Sequence, residues 1–346
     1  MTDQALRPCT APSTTQAKAK PALRLIKTVD LSRDQWLTVR KQGIGSSDAA
    51  AAVGLNPYQS ALELWMIKTG RDANLPKVDP ADDTTPMYWG TMLEHIVAAH
   101  YTKRTGRRVR RINAVLQHPD QDKRWMLANI DREVMGDPEV SILECKTAGI
   151  NGARLWRDGV PEYVQLQVQH QLAVTGKAAA DVAVLIGGQD LQVHRIHRDD
   201  GLIANLVELE RSFWQHVVND TPPPADGSDS ADQALRALYP HGSEPACDFA
   251  KDSVLSSAFS DLVAIRQVIA QHEKIEAKLK QGIQQAMGNA SVANFETGSV
   301  SWKRSKDKQE LDVEALIRDQ PGLLERYPLV KPGSRRFLVH EDKPVT

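Results

Sequence analysis

The sequence predicts an α/β domain with a mixed central sheet flanked by helices, followed by a helical C-terminal extension. Three observations carry this. Residues 87–105 place apolar side chains at helical spacing and stop at Gly106. Two strand-like runs, 124–134 and 140–147, flank the turn signal Gly136-Asp137-Pro138. Two more apolar runs, 180–186 and 191–196, flank Gly187-Gly188, and a helical segment spans 199–219. Strands alternating with helices of this length fit an α/β layering.

The elements follow in order. Residues 1–28 are rich in Ala, Thr, Pro and Lys without an apolar period and read as a disordered tail. Ser32 is placed to cap a short helix through Trp36 to Arg40. Gly43 to Asp48 breaks that helix, and an alanine-rich helix begins at Ala49. Asn56-Pro57-Tyr58 is a turn, and residues 61–69 are helical up to Gly70. Residues 71–86, with Pro76, Pro80 and Pro86, form a loop. Residues 161–175 alternate Gln with apolar residues as a strand would. Their length, Pro161 at the start and Gly176 at the end favour a helix instead. Residues 29–220 thus form one domain. Residues 221–250 read as a linker, since three consecutive prolines, Gly227 and interspersed Asp and Ser open it. Residues 251–346 form the extension, with a long amphipathic helix over 255–287 and a hairpin over 292–304.

Composition narrows the function classes. Cys9, Cys145 and Cys247 are odd in number and have no C-x-x-C spacing, which argues against a zinc ribbon or a disulfide framework and suits a reducing cytoplasm. No contiguous apolar run of about 18 residues is found, so no membrane segment is expected. The histidines lack H-E-x-x-H spacing, and no phosphate-binding G-x-x-x-x-G-K-[ST] loop occurs. Net charge is −1, yet Lys103, Arg104, Arg107, Arg108, Arg110 and Arg111 form an uninterrupted basic stretch. Such a stretch either tracks a phosphate backbone or is a solvated helix end.

One constellation carries chemistry. Glu144 and Lys146 stand two apart on a strand and project to the same face. Asp131 lies on the neighbouring strand of the hairpin, and Glu94 lies in the preceding helix. Grouped carboxylate oxygens suit Mg²⁺, and a lysine beside the ion orients or deprotonates water in a phosphodiester displacement. Alternating Glu and Lys on a strand is otherwise a solvated face. Here Ala128, Ile130, Ile142 and Leu143 make the strands apolar and central, where charge needs a reason.

Further motifs stand in order around these residues. Trp36 and Arg40 lead into Gly43-Ile44-Gly45-Ser46-Ser47-Asp48, then Gly54-Leu55-Asn56-Pro57-Tyr58 and Leu62-Glu63-Leu64-Trp65 with Lys68-Thr69-Gly70. Trp89-Gly90 precedes Leu93-Glu94, and Ala128-Asn129-Ile130-Asp131 precedes Leu143-Glu144-Cys145-Lys146-Thr147. Gln167-Val168-Gln169 and Val174-Thr175-Gly176 close the series. Across residues 33–220 the chain resembles the YqaJ-type phage recombinases, relatives of lambda exonuclease in the PD-(D/E)xK nuclease superfamily.

The resemblance implies a restriction-endonuclease-like core. It implies that Asp131, Glu144 and the Cys145 carbonyl hold Mg²⁺, with Mn²⁺ able to substitute, and that Glu94 is a further acid acting through water. Lys146 would position the attacking water and Gln167 would hold that water or the phosphate. Arg40 and Ser47, with Ser46 beside them, match positions that grip a 5′-terminal phosphate; Ser46 and Ser47 could equally cap the alanine-rich helix. Arg107 and Arg108 are the further candidates for DNA contact. Gln171 stands where many superfamily members have tyrosine. The implied reaction is 5′→3′ digestion of one strand at double-stranded DNA ends, leaving a 3′ tail for a single-strand annealing protein. A homotrimeric ring, a phage or prophage origin and a bacterial cytoplasmic location are further expectations. The alternatives are a phage-type endonuclease, which would need no DNA end, and a non-catalytic DNA-binding accessory protein.

Overall fold

The computed structural model describes residues 20–242, 246–329, 333 and 335–341. It divides into two units, residues 1–239 and 240–346.

In the first unit, Ser32 caps α1 (Arg33–Arg40) by accepting from the Gln35 N–H, and the Gln35 side chain returns a bond to the Ser32 N–H. Ahead of it, β1 (Leu23–Lys27) pairs antiparallel with β4 (Ala114–Gln117). The expected tail over 1–28 therefore contains a strand; residues 1–19 lie outside the described residues. After α1 come the short β2 (Ile44–Gly45), a 3₁₀ turn (Ser46–Asp48), α2 (Ala49–Ala52) and α3 (Ala61–Lys68). Then α4 (Pro86–Thr105) opens with proline in its first turn and closes on left-handed Gly106. Strand β3 (Arg108–Arg110) follows it.

The segment expected as one strand over 124–134 is two. Strand β5 (Met126–Ala128) joins the small sheet β1-β4-β5-β2, whereas β6 (Arg132–Met135) joins the main sheet. The break has a physical cause: the Asn129 carbonyl, which would continue a ladder, instead accepts from the Ser46 hydroxyl and the Gln171 amide.

Beyond the turn, β7 (Val140–Ala148) runs antiparallel to β6 and parallel to β8 (Ala179–Ile186), which pairs antiparallel with β9 (Asp190–His197). The main sheet is thus mixed, in the order β3-β6-β7-β8-β9. The Gln-rich segment is a helix, α5 (Glu162–Thr175), packed in the core through Val164, Val168 and Leu172. The expected fold class holds: an α/β unit with mixed sheets and flanking helices.

Helix α6 (Asp200–Val218) is followed by the proline segment and then by α7 (Asp229–Leu238), which lies within the expected linker. Its Ala231 and Ala234 are buried, and the Ser230 hydroxyl bonds Ser60 and Glu63 on the α3 side. Small residues let the helix approach α3 closely, which keeps α7 in the first unit.

The second unit is built on α8 (Ser253–Met287), 35 residues with none buried. Strands β10 (Val292–Phe295) and β11 (Gly298–Ser301) form the expected hairpin, and α9 (Val313–Asp319) and α10 (Gly322–Arg326) follow. Between α8 and the hairpin lies an open groove of about 900 Å³, lined by Ile275, Leu279, Ile283 and Phe295 among others and by no carboxylate. By length and composition alone, a window of α8 is apolar enough to cross a membrane. The window is a mixture of apolar, Ala and Ser residues interrupted by Asp261 and Arg266 rather than a contiguous apolar run.

Candidate active site

The end of β6 creates the site. Its ladder with β7 stops at the pair Arg132–Leu143, so the next outward-facing N–H of β7, that of Cys145, needs another acceptor. Asp131, at the bend just before β6, supplies it: its Oδ2 accepts from the Cys145 N–H at 2.8 Å. N–H and C=O of one strand residue face the same neighbour, so the Cys145 carbonyl faces this edge as well. Asp131 is therefore aimed at β7 by the bend, not by an uninterrupted hairpin as expected.

Glu144 is 3% exposed and its two oxygens are both held from α5. Gln167 Nε2 donates to Oε1 at 2.6 Å and Gln171 Nε2 donates to Oε2 at 2.8 Å. Lys146 Nζ lies 2.8 Å from Glu144 Oε1 and donates to Gln167 Oε1 at 2.9 Å. The amide of Gln167 is thus fixed in orientation by an acceptor on one side and an ammonium on the other. Gln167 and Gln171 stand one helical turn apart, so they share a face of α5. Gln171 was not among the predicted site residues; its i+4 spacing from Gln167 is the signal that identifies it.

Electrostatics single out Asp131. Burial, then the Glu144 carboxylate, raises its carboxyl to about 8, and Glu94 adds to the effect. Lys146 is held above the ordinary lysine value: burial opposes its charge, but Glu144 and Asp131 outweigh it. Glu94 is compensated separately, by Arg132 at 2.5 Å and Arg111 at 3.6 Å. Buried Glu144 and half-buried Asp131 therefore share a single ammonium, so that ionising both carboxyls leaves a deficit of positive charge. Gln171 Oε1 is also buried without a partner among the described residues. Both observations fit a hydrated divalent cation, which takes one or two carboxylates and several waters. Among the described residues, no three His, Cys, Asp or Glu side chains gather closely enough to form a complete cage. Backbone carbonyl and water oxygens would have to complete the coordination.

Arg40 and Ser47 form a second, adjoining feature. Arg40 donates to Ser47 Oγ at 2.7 Å and to Asp48 Oδ1 at 2.5 Å. Buried Lys68 grips the other Asp48 oxygen at 2.6 Å and also donates to the Arg40 carbonyl. Burial alone would raise Asp48, but Arg40 and Lys68 reverse this and hold it at about 2. These residues, with Lys41 and Lys77, line a cleft of about 600 Å³ that Asp131 and Glu144 do not line. Ser46 and Ser47 do not cap α2; Asp48 takes the N-cap position and makes no side-chain cap bond. Sequence reasoning missed Lys68 and Asp48. The available signal was a lysine among the apolar residues of Leu64-Trp65-Met66-Ile67-Lys68.

The basic stretch is largely absorbed. Arg107 donates to Asp137 at 2.6 Å and approaches buried Asp181 at 3.5 Å, and Arg110 pairs with Glu133. Arg108 is exposed on β3. Between β7 and α5, Arg154 and Arg157 are exposed as well.

Comparisons with known proteins place the chain in a family. Residues 35–178 match the YqaJ-like viral recombinase domain. The chain is 35% identical over 329 residues to the uncharacterized protein YqaJ of Bacillus subtilis (strain 168), covering 93% of this chain and 99% of that one. An alkaline exonuclease (LHK-Exo) from Laribacter hongkongensis aligns with 54% of this chain and 93% of its own, at 21% identity and a TM-score of 0.45. A phage related exonuclease from Haemophilus somnus 129PT aligns with 54% of this chain and 99% of its own, at 10% identity and a TM-score of 0.37. The match over residues 35–178 takes in Arg40, Ser47, Glu94, Asp131, Glu144, Lys146 and Gln167, and on these findings the chain belongs to the YqaJ-like viral recombinase family.

Proposed function

We propose that this recombinase-family protein is a Mg²⁺-dependent DNA nuclease working as a 5′→3′ double-strand exonuclease. Family membership supports a phage-type nuclease. The observation that carries the catalytic part is the convergence of Asp131, Glu144, Lys146 and Gln167 at the end of β6. Asp131, Glu144 and the Cys145 carbonyl would hold the cation, with Glu94 reaching it through water. When bound, such an ion stabilises charge on a phosphate and lowers the pKa of water. Lys146, locked by Glu144 and Gln167, orients the attacking water and keeps its proton at the pH of the reaction. Gln167 and Gln171 hold Glu144 in a single rotamer, so its lone pairs are presented without reorganisation.

The exonuclease mode rests on the cleft beside α1. Arg40, Lys41, Lys68 and Lys77 outnumber its acids Asp34, Asp48 and Asp72, and Ser47 adds a hydroxyl, which suits a terminal phosphate. In this reading Arg40 exchanges part of its bond to Asp48 for the phosphate, and Ser46 ties the cleft to the catalytic bend through the Asn129 carbonyl. Arg108, Arg154 and Arg157 supply non-specific contacts to the duplex backbone. The 3′ tail would be the loading site for a single-strand annealing protein, with the chain working as a homotrimer in a phage-infected or lysogenic bacterium. The test uses linear duplexes with 5′-phosphate or 5′-hydroxyl ends and a closed circle. Loss of the phosphorylated linear substrate with the circle spared is the expected result. Cutting of the circle would replace this mode with an endonuclease.

A further inference from the structure

Helix α5 presents one row of side chains at i, i+4 and i+8: Tyr163, Gln167 and Gln171. The inner two hold Glu144. The outermost, Tyr163, continues the same row outward, one turn beyond the amide that holds Lys146. The phenol of Tyr163 is raised, by burial and then by Tyr58, while the nearby Lys146 ammonium pulls it down. Tyr163 meets Tyr58 edge to face, with centroids 5.8 Å apart and planes at 88°.

Tyr58 is 65% exposed yet is held in place. The Asn56 side chain accepts from the Tyr58 and Gln59 N–H groups at 2.8 and 3.2 Å, forming a turn around Pro57. Tyr163 packs against the apolar core on its other side. An aromatic ring backed by a turn and a half-buried neighbour binds with little loss of side-chain entropy. Among the described residues Tyr163 is the ring partner of Tyr58, which leaves most of the exposed ring uncovered beside the row that ends on Glu144.

We propose that Tyr58, backed by Tyr163, is a stacking shelf for the nucleobase of the 5′-terminal nucleotide being removed. This rests on the nuclease reading for its substrate but not for its geometry. Every base has a π-face, so the shelf is tolerant of sequence, as a processive nuclease requires. Tyr58 is a positioning residue: it acts through the base, not on the phosphate. Because the stack is present in both the ground and the transition state, its loss raises KM more than it lowers kcat.

Two readouts test this. In EDTA, a duplex with 2-aminopurine as its 5′-terminal base should be quenched by the wild type and not by Tyr58→Ala at saturating protein, with Tyr58→Trp restoring the quench. In Mg²⁺, Tyr58→Ala should raise KM about tenfold on a normal duplex, in the range measured for losing one base–aromatic stack. An abasic 5′-terminal nucleotide should cost the wild type a similar factor and cost Tyr58→Ala nothing further. Equal quenching by wild type and Tyr58→Ala, or the same KM penalty of the variant on both substrates, would overturn the shelf. A wild type that quenches but cleaves nothing in Mg²⁺ would sink the nuclease reading and leave the shelf standing.

Discussion

Replacing Asp48 with Asn tests the electrostatics of the anion cleft. Asp48 faces two cations that outweigh its burial, whereas burial lowers Lys68 more than its one anion raises it and Arg40 lowers it further, so the carboxylate gains from the cluster and the ammonium does not. The folded carboxyl sits at about 2, below its ordinary 3.8. A depression of that size corresponds to about 2 kcal/mol of stability. Because the folded value is the lower one, this stability is present above about pH 4 and is lost as pH falls toward 2. Asp48→Asn also strands Lys68, whose side chain is 2% exposed, without its carboxylate. Removing one partner of a buried pair costs about 3–5 kcal/mol. We therefore expect a loss of about 3 kcal/mol at pH 7, or a Tm lower by about 6–12 °C for a unit of this size. Urea unfolding of wild type and variant from pH 7 to pH 2 measures it, and the gap should close between pH 4 and 2. A loss below about 1 kcal/mol, or a gap that does not change with pH, would refute the reasoning.

Other expectations follow from the same geometry. Gly43→Ala would place a Cβ 2.3 Å from the Trp125 carbonyl oxygen, on backbone that cannot move aside, and should cost about 1–3 kcal/mol in denaturant unfolding. Gln167→Ala removes the amide that bridges Lys146 and Glu144 Oε1 while leaving the Lys146–Glu144 ion pair and Gln171 in place. It should lower kcat about 10²-fold with a small change in KM, and equal kcat values would contradict the locking role. Asp131 has the opposite sign from Asp48. Raised to about 8, it contributes stability below its ordinary value of 3.8 that is lost as pH rises toward 8. Mg²⁺ should therefore raise Tm more at pH 8.5 than at pH 6, and Asp131→Asn should abolish the difference in a thermal-shift titration.

Local signals made much of the fold legible in the sequence. Helix α4 was readable because its apolar residues recur at helical spacing and Gly106 closes it, although Pro86, assigned to the loop before it, is its first residue; α5 was readable because Pro161, Gly176 and its length outweigh the alternation of Gln and apolar residues. What was hidden depends on distant partners. Strand β1 exists because β4 pairs with it, and α7 because Ala231 and Ala234 fit against α3. The bend at 129–131 exists because Ser46 and Gln171, far away in the chain, take the Asn129 carbonyl. The site shows the same division. Asp131, Glu144 and Lys146 were predicted from strand alternation and chain order, Gln167 from the family resemblance, and the four do converge. Gln171, Asp48 and Lys68 were not, because their roles come from packing that brings α5 onto β7 and α3 onto the 3₁₀ turn. Arg107 looked available for DNA by composition, but the turn residue Asp137 claims it.

The central claim is that Lys146 and the carboxylates beside it hydrolyse DNA with a divalent cation. Its most direct test is the rate of degradation of a 5′-phosphorylated linear duplex by wild type and Lys146→Ala, each in Mg²⁺ and in EDTA. Degradation by the wild type in Mg²⁺ alone and a loss of at least about 10³-fold in the variant are expected. Equal rates for wild type and variant, or degradation that persists in EDTA, would contradict it.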